Sequence, residues 1–125
     1  VNGTETGRGK PGTYFEIDRK WENGDVISFT LPMDFRVTKY TGLEKGFEEN
    51  HYAIEYGPIL MAMVGVKARK ENIGVRTTPE IIKNLLRPVP GKPLHFSIDG
   101  SSQFEYWPYF EVQDEPFSCF PEFFK

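Results

Sequence analysis

The chain of 125 residues contains one cysteine and two histidines, and it carries a net charge of −3. Cys119 alone can form neither an internal disulfide nor a zinc site, and we expect it to be buried as a small apolar residue. The longest apolar run, Ile59 to Val66, is much shorter than the roughly 20 residues that a membrane-spanning helix needs. The acidic balance lacks the basic stripe that phosphate backbones require. We therefore expect neither a nucleic acid nor a membrane as partner.

The length allows a sizeable core, because a chain of this size buries about two-thirds of the surface that its unfolded form exposes. We expect one domain over residues 1–125. Gly7, Gly9 and Gly12 satisfy the G-x-G-x-x-G pattern, but Lys10-Pro11 leads into a predicted strand and not into a helix. We read residues 3–12 as a loop and expect no cofactor.

Residues 14–33 show the period-two alternation of a β-hairpin. One face of the first strand carries Phe15, Ile17, Arg19 and Trp21. One face of the second carries Ile27, Phe29, Leu31 and Met33. Between them Asn23-Gly24 can take the positive φ angles of a type I′ turn. The pattern predicts that Trp21 lies in a core or interface.

The remainder of the chain predicts further strands and one helix. Gly57-Pro58 precedes the run Ile59–Val64, whose length between Pro58 and Gly65 favours a buried strand over a buried helix. Thr77-Thr78-Pro79-Glu80 is typical of a helix start, with a Thr cap and a Pro in the first turn. The helix stripe is Ile81, Ile82, Leu85 and Leu86.

Two strands are predicted near the end, over Leu94–Ile98 and over Phe104–Phe120, the second interrupted by Pro108 and Pro116. The segment from Thr41 to Asn50 reads as a long connecting loop. Together these patterns predict a mostly β fold, an antiparallel β-sandwich of jelly-roll type with one short helix.

Several segments, taken in order, resemble the C-terminal region of glycoside hydrolase family 127, which includes bacterial β-L-arabinofuranosidases. They are Val1-Asn2-Gly3, residues 14–21, Gly24-Asp25-Val26-Ile27, Leu31-Pro32-Met33, residues 53–60, residues 107–112 and residues 114–117. Gln113, Cys119 and Phe120 depart from the residues that are commoner in that family. The order and spacing of the whole series carry the resemblance.

The resemblance implies that the chain is a fragment of a larger enzyme. In that family catalysis uses a zinc-associated cysteine cluster with a glutamate. Both are carried by a helical barrel that precedes the matched region. We therefore expect a non-catalytic accessory domain that supports the barrel of the same polypeptide or a subunit interface, and an inactive isolated chain. The parent would act on plant-type glycans, and a periplasmic or extracellular compartment is favoured for it over the cytoplasm.

Two other functions stay open. Trp107, Tyr109 and Trp21 are candidate stacking platforms for sugar rings, so the chain could be a free-standing carbohydrate-binding module. A protein-interaction domain, including an edge-to-edge homodimer, is the other alternative. Glu111, Asp114 and Glu115 are candidate glycosidase carboxylates, but their polar surroundings in the sequence favour surface acids. His51 and His95 each sit in an alternating segment and read as strand residues, so we expect no metal site and no catalytic residue.

Overall fold

The computed structural model describes residues 1–43, 50–65, 74–99 and 103–125. These residues form two compact units, Val1–Leu31 and Pro32–Lys125. Residues 44–49 of the predicted loop over Thr41–Asn50 lie outside the described residues.

Within the described residues, nearly all of the regular secondary structure of the second unit consists of β-strands. The strands are β1 (Phe35–Lys39), β2 (Tyr52–Tyr56), β3 (Ile59–Val64), β4 (Gly74–Arg76), β5 (Leu86–Pro88), β6 (Phe96–Ile98), β7 (Glu105–Pro108), β8 (Phe117–Ser118) and β9 (Glu122–Phe124). The helical elements are α1 (Ile82–Leu85) and a 3-10 turn, Tyr109–Glu111. The predicted mostly β, antiparallel fold is confirmed.

The main sheet runs in the order β1-β2-β3-β7-β6-β5, with β8 pairing β3 at the end that β2 leaves free, and it curls into a half-barrel. All of its pairs are antiparallel. A second, two-stranded sheet joins β4 and β9 in parallel. β1 and β5 are the two edges of the main sheet.

The strand predicted behind Gly57-Pro58 is confirmed as β3, and the helix alternative is wrong. Tyr56 pairs with Ile59, so Gly57-Pro58 is a two-residue hairpin loop. Gly57 has a φ of +57°, a left-handed conformation that glycine adopts without the steric penalty of a side chain. Met61 to Val64 are buried, as expected for a strand in the middle of a sheet.

The core lies against one face of the main sheet. Its fully or nearly buried members are Ile54, Met61, Met63, Val75, Ile82, Leu86, Phe96, Ile98, Tyr106 and Phe123. Successive strand side chains point to opposite faces, so every second residue of β2, β3, β6 and β7 contributes. His95, Glu105 and Trp107 fall on the opposite face of the sheet.

The predicted hairpin over residues 14–33 is wrong. In the described segment 1–43 the first strand is β1, which begins at Phe35. A turn does form where it was predicted, closed by the Asp25 N–H to the Glu22 carbonyl at 3.1 Å. Only Gly24 of its two central residues has a positive φ, which is not the type I′ geometry.

The alternation over residues 14–31 failed as a predictor because alternation yields a strand only where one face is buried and a neighbour completes the ladder. Here most of the large apolar side chains are exposed. The backbone groups of Val26 are hydrogen-bonded to Asn2 and not to the first predicted strand. Asn2 N–H donates to the Val26 carbonyl, and Val26 N–H donates to the side-chain oxygen Oδ1 of Asn2. Trp21, predicted buried, is 44% exposed.

The predicted helix is reduced to one turn, α1. Ile81 occupies its N-cap position without a side-chain cap, so the predicted threonine cap is wrong. The Thr78 carbonyl instead accepts bonds from the Ile81 and Ile82 N–H groups. The helix ends at Leu85 because Leu86 turns extended and starts β5, which pairs with β6. Of the predicted stripe Ile82 and Leu86 are buried, whereas Ile81 is exposed.

The last predicted strands are shorter than expected. Leu94 takes a positive φ, so the strand begins after His95, at Phe96. Pro108 ends β7 and leads into the 3-10 turn, and Pro116 precedes the two-residue β8. The interruptions predicted at both prolines are therefore confirmed.

Candidate functional site

A cluster of polar and aromatic side chains surrounds Trp107 on the sheet face opposite the core. The pairing of Phe96 with Tyr106 in β6 and β7 brings their outward-facing neighbours His95 and Trp107 side by side. The His95 and Trp107 ring centroids are 4.9 Å apart, with 39° between the ring planes. We call His95, Glu111, Trp107, Lys92 and Glu105 the Trp107 cluster.

His95 is the buried member of this cluster. Its side chain is 10% exposed, and its Nε2 lies 2.6 Å from Oε2 of Glu111. Among the described residues its other ring nitrogen, Nδ1, is buried without a hydrogen-bond partner. Glu111 reaches the imidazole because the 3-10 turn after Pro108 carries it back toward β6.

A second hydrogen-bonded group lies on the same indole. Trp107 Nε1 donates to Oε2 of Glu105 at 2.7 Å, and Lys92 Nζ lies 3.9 Å from that same oxygen. Lys92 Nζ also lies 5.8 Å from the Trp107 ring centroid, within the range of a cation–π contact. The indole is therefore fixed at its nitrogen and contacted by one cationic side chain.

A shallow depression of about 360 Å³ adjoins the cluster. Residues of the segment 88–96 line it, among them Lys92, Leu94 and His95. The turn that shapes it contains Gly91 and Leu94, both with positive φ. A leucine in this conformation is uncommon, and such local strain is found at functional sites more often than elsewhere.

Of the other two aromatic residues predicted to bind sugar, Tyr109 lies outside the Trp107 cluster and Trp21 belongs to the first unit. Tyr109 opens the 3-10 turn, is 49% exposed, and contacts the Phe117 ring edge to face at 5.7 Å. Since the turn breaks the strand alternation, Tyr109 and Trp107 do not form the shared strand face that alternation predicts. Trp21 belongs to the first unit, where the Arg19 guanidinium lies 5.0 Å from its ring centroid.

The turn that carries Trp21 is held by a carboxylate. Asp25 accepts bonds from the Glu22 N–H at 2.9 Å and from Asn2 Nδ2 at 2.7 Å. Arg19 lies 3.3 Å from its second oxygen. The Glu22 N–H, the Asn2 amide and the Arg19 charge together hold the pKa of Asp25 below its usual range.

Neither a metal site nor a membrane-spanning helix is formed by the described residues. In the described ranges, no three side chains of the His, Cys, Asp and Glu types are grouped so that they could hold a metal ion. No helix in the described part of the chain is long and apolar enough to cross a membrane. Cys119 is half-buried, and its partial burial raises the pKa of the thiol. His51 precedes β2 and bridges Glu122 through the backbone.

The Trp107 cluster presents hydrogen-bonding groups beside a partly exposed indole. Each of its carboxylates already has a hydrogen-bonded or ionic partner, Glu111 with His95 and Glu105 with Trp107 and Lys92. A sugar that stacked on Trp107 would share the indole with His95 and Lys92. This arrangement suits ligand binding better than a pair of carboxylates that face each other across a glycosidic bond.

Sequence reasoning missed Lys92, Glu105 and the partnership of His95. The i, i+2 spacing of Glu105 and Trp107 on a strand could have indicated their contact. The approach of Glu111 to His95 depends on the turn after Pro108, for which the sequence offered only a predicted interruption. Glu111, a candidate glycosidase carboxylate in the sequence, contacts a histidine in the structure.

No family model matches the chain, and a search of curated proteins found none similar to it. The resemblance to glycoside hydrolase family 127 therefore stays a prediction.

Proposed function

We propose that this chain is a non-catalytic accessory domain of a family 127-like glycoside hydrolase, in which it packs against the catalytic barrel or a neighbouring subunit. The observation that carries the proposal is the exposure of large aromatic side chains in a segment that belongs to the family resemblance. Tyr14 is 98% exposed, and Phe15 and Trp21 are nearly half exposed. Large apolar side chains exposed within one short segment favour a site that another protein surface covers.

Local structure supports a docking role for Trp21. Arg19 contacts the indole and also pairs with Asp25, which accepts the Glu22 N–H of the turn after Trp21, so the indole has a partner before any protein binds. A rigid aromatic anchor loses little conformational entropy on binding, which favours a central place in an interface. The parent enzyme, on this proposal, releases arabinofuranose-type sugars from plant glycans through residues of its barrel.

The test uses the native gene product, captured from the source organism with an antibody against this domain. We expect a protein several times heavier than 14.4 kDa. In that protein Tyr14→Ser should lower the melting temperature, because the exposed ring of Tyr14 would lose its partner surface. The same substitution in the isolated chain should have no effect, and Glu16→Ser, a change of an exposed acid on the same segment, is the matched control. A native product of the chain's own mass would contradict the proposal.

Carbohydrate binding by the chain itself is a second candidate, favoured by the Trp107 cluster. An indole beside charged and hydrogen-bonding side chains, next to a depression, is the kind of surface on which a sugar ring can stack and bond its hydroxyls. We expect titration calorimetry with arabinan oligosaccharides to give millimolar to micromolar affinity that Trp107→Ala abolishes. Phe110→Ala removes an exposed ring from the 3-10 turn that carries Glu111, and it should leave the sugar affinity unchanged. Absence of heat with the unsubstituted chain would remove this candidate.

A further inference from the structure

The segment Ile27–Leu31 has the features of a strand that lacks a neighbour. Ile27, Phe29 and Leu31 alternate with Ser28 and Thr30, and Phe29 is 81% exposed. Within the described part of the chain, no backbone N–H or carbonyl of this segment has a hydrogen-bond partner. A short segment of β-branched and apolar residues with unpaired backbone groups is a template for pairing with a sheet edge.

The same chain contains a sheet edge that lacks a neighbour. Among the described residues of the second unit, β1 pairs with β2 on one side only. The bonds from Gly57 N–H to the Asp34 carbonyl and from Tyr40 N–H to the His51 carbonyl show which residues of β1 direct their backbone groups toward β2. Arg36 and Thr38 therefore point their backbone groups toward β2. The groups of Phe35, Val37 and Lys39 point outward, with no partner among the described residues.

The geometry points to the pairing of Ile27–Leu31 with the outward edge of β1 in a second copy of this chain, as an antiparallel strand. With Phe29 opposite Val37, Leu31 falls opposite Phe35. Directly opposite residues share a sheet face, so both apolar pairs extend the core face of the partner's sheet.

The polar residues match in the same register. Ser28 falls opposite Thr38, and Thr30 falls opposite Arg36. The Arg36 guanidinium is already bound to the Glu55 carboxylate by two bonds of 2.7 Å. The edge therefore presents little unbalanced charge to the incoming strand. Lys39 falls opposite Ile27 at the end of the ladder, where its exposed ammonium can stay in water while its aliphatic stem packs on Ile27.

A hairpin between Ile27–Leu31 and β1 of the same chain would need Pro32, Met33 and Asp34 as a three-residue loop. A three-residue hairpin loop commonly ends with a residue in the left-handed region. None of Pro32, Met33 and Asp34 has a positive φ. Pro32 also biases Leu31 toward extended backbone. Because each copy offers one strand and one edge, two copies complete each other in a closed, two-fold exchange. The pairing does not depend on the chain being part of a hydrolase.

Disulfide trapping tests the register directly. In a Cys119→Ser background, a Phe29→Cys chain is mixed with a Val37→Cys chain under mild oxidation. A hydrogen-bonded antiparallel pair has its Cα atoms about 5.5 Å apart, a spacing that a disulfide spans. We expect a covalent heterodimer on a non-reducing gel. Ser28→Cys mixed with Val37→Cys is the control, because its side chain would point to the opposite face and should cross-link much more slowly.

Two further readouts make the proposal easy to overturn. A chain carrying both Phe29→Cys and Val37→Cys should give cross-linked dimers, and a cross-linked monomer would show an intrachain hairpin instead. Sedimentation equilibrium of the full chain should detect a dimer that Phe29→Pro weakens by about tenfold or more, since proline removes a ladder donor. Thr30→Pro, whose N–H points away from the proposed partner, should have a smaller effect. A strictly monomeric chain, or equal cross-linking in the control mixture, would overturn the proposal.

Discussion

Nε2 of His95 lies 2.6 Å from Oε2 of Glu111, and this bond joins the start of β6 to the 3-10 turn that follows β7. The imidazole is nearly buried, whereas the Glu111 side chain is 41% exposed. The contact therefore acts as a tie between two segments that the main sheet does not pair directly.

Loss of this tie should reduce stability modestly. We expect Glu111→Ala to lower the free energy of unfolding by about 1 kcal/mol, because a bond to a partly exposed carboxylate is screened by water. Glu111→Gln should lose less, since its amide oxygen or nitrogen can still bond the imidazole. Urea denaturation measures both, with the exposed Asp114→Ala as control. An Ala variant as stable as the control would show that the bond contributes nothing.

Tyr106 is fully buried, and among the described residues its hydroxyl has no hydrogen-bond partner. Burial also raises the pKa of this phenol far above its usual range. Removing a buried, unpaired hydroxyl relieves a desolvation cost, so Tyr106→Phe should leave stability unchanged or raise it. Tyr106→Ala should instead cost about 3–5 kcal/mol, because a large cavity opens in the core. A clear loss of stability in the Phe variant would indicate that the hydroxyl is bonded.

Trp21 and Ile54 should respond in opposite ways to truncation. Ile54 is 0% exposed at the centre of the core, so Ile54→Ala should cost about 2–5 kcal/mol. Trp21 is 44% exposed and lies outside the core, and Trp21→Ala should change the stability of the isolated chain by no more than about 1 kcal/mol. Thermal unfolding of the two variants provides the comparison. A Trp21→Ala loss as large as that of Ile54→Ala would restore the buried position expected from the sequence.

Asp25 should stay ionised at lower pH than an ordinary aspartate. Its pKa is lowered by the Glu22 N–H first, and by Asn2 and Arg19. Because the pKa is lowered on folding, the ionised carboxylate stabilises the folded turn at any pH above its unfolded pKa of about 3.9. This contribution to stability is lost as the pH falls through the folded pKa. A carboxyl carbon NMR titration should therefore give a midpoint below that value. In Asp25→Asn this part of the acid dependence should disappear, and an ordinary midpoint in the unsubstituted chain would contradict the assignment.

The sequence predicted the second unit better than the first. Gly57-Pro58 correctly marked the break before the buried strand β3, because proline and a left-handed glycine restrict the backbone locally whatever surrounds them. Alternation over residues 14–31 predicted a hairpin that is not formed, because alternation reports which face could be buried and not whether a neighbour is present to bury it. The predicted helix shortened to one turn because Leu86 joins β5.

The candidate site was only partly predictable. Trp107 was identified from its aromatic character, yet its neighbours follow from the register of β6 and β7 and from the turn after Pro108. Neither is encoded in a short motif. Leu94 illustrates the same limit, since nothing in a Pro-Leu-His sequence predicts a left-handed leucine. Such non-local geometry requires the assembled sheet.

The most direct measurement of the central claim is hydrolysis of a chromogenic β-L-arabinofuranoside by the native gene product and by the isolated chain at equal molar concentration. The account predicts turnover by the native product and none by the chain, because the family's cysteine cluster and glutamate would lie in the preceding barrel. A native product that fails to hydrolyse the glycoside, although it folds and is heavier than the chain, would contradict a role in such an enzyme.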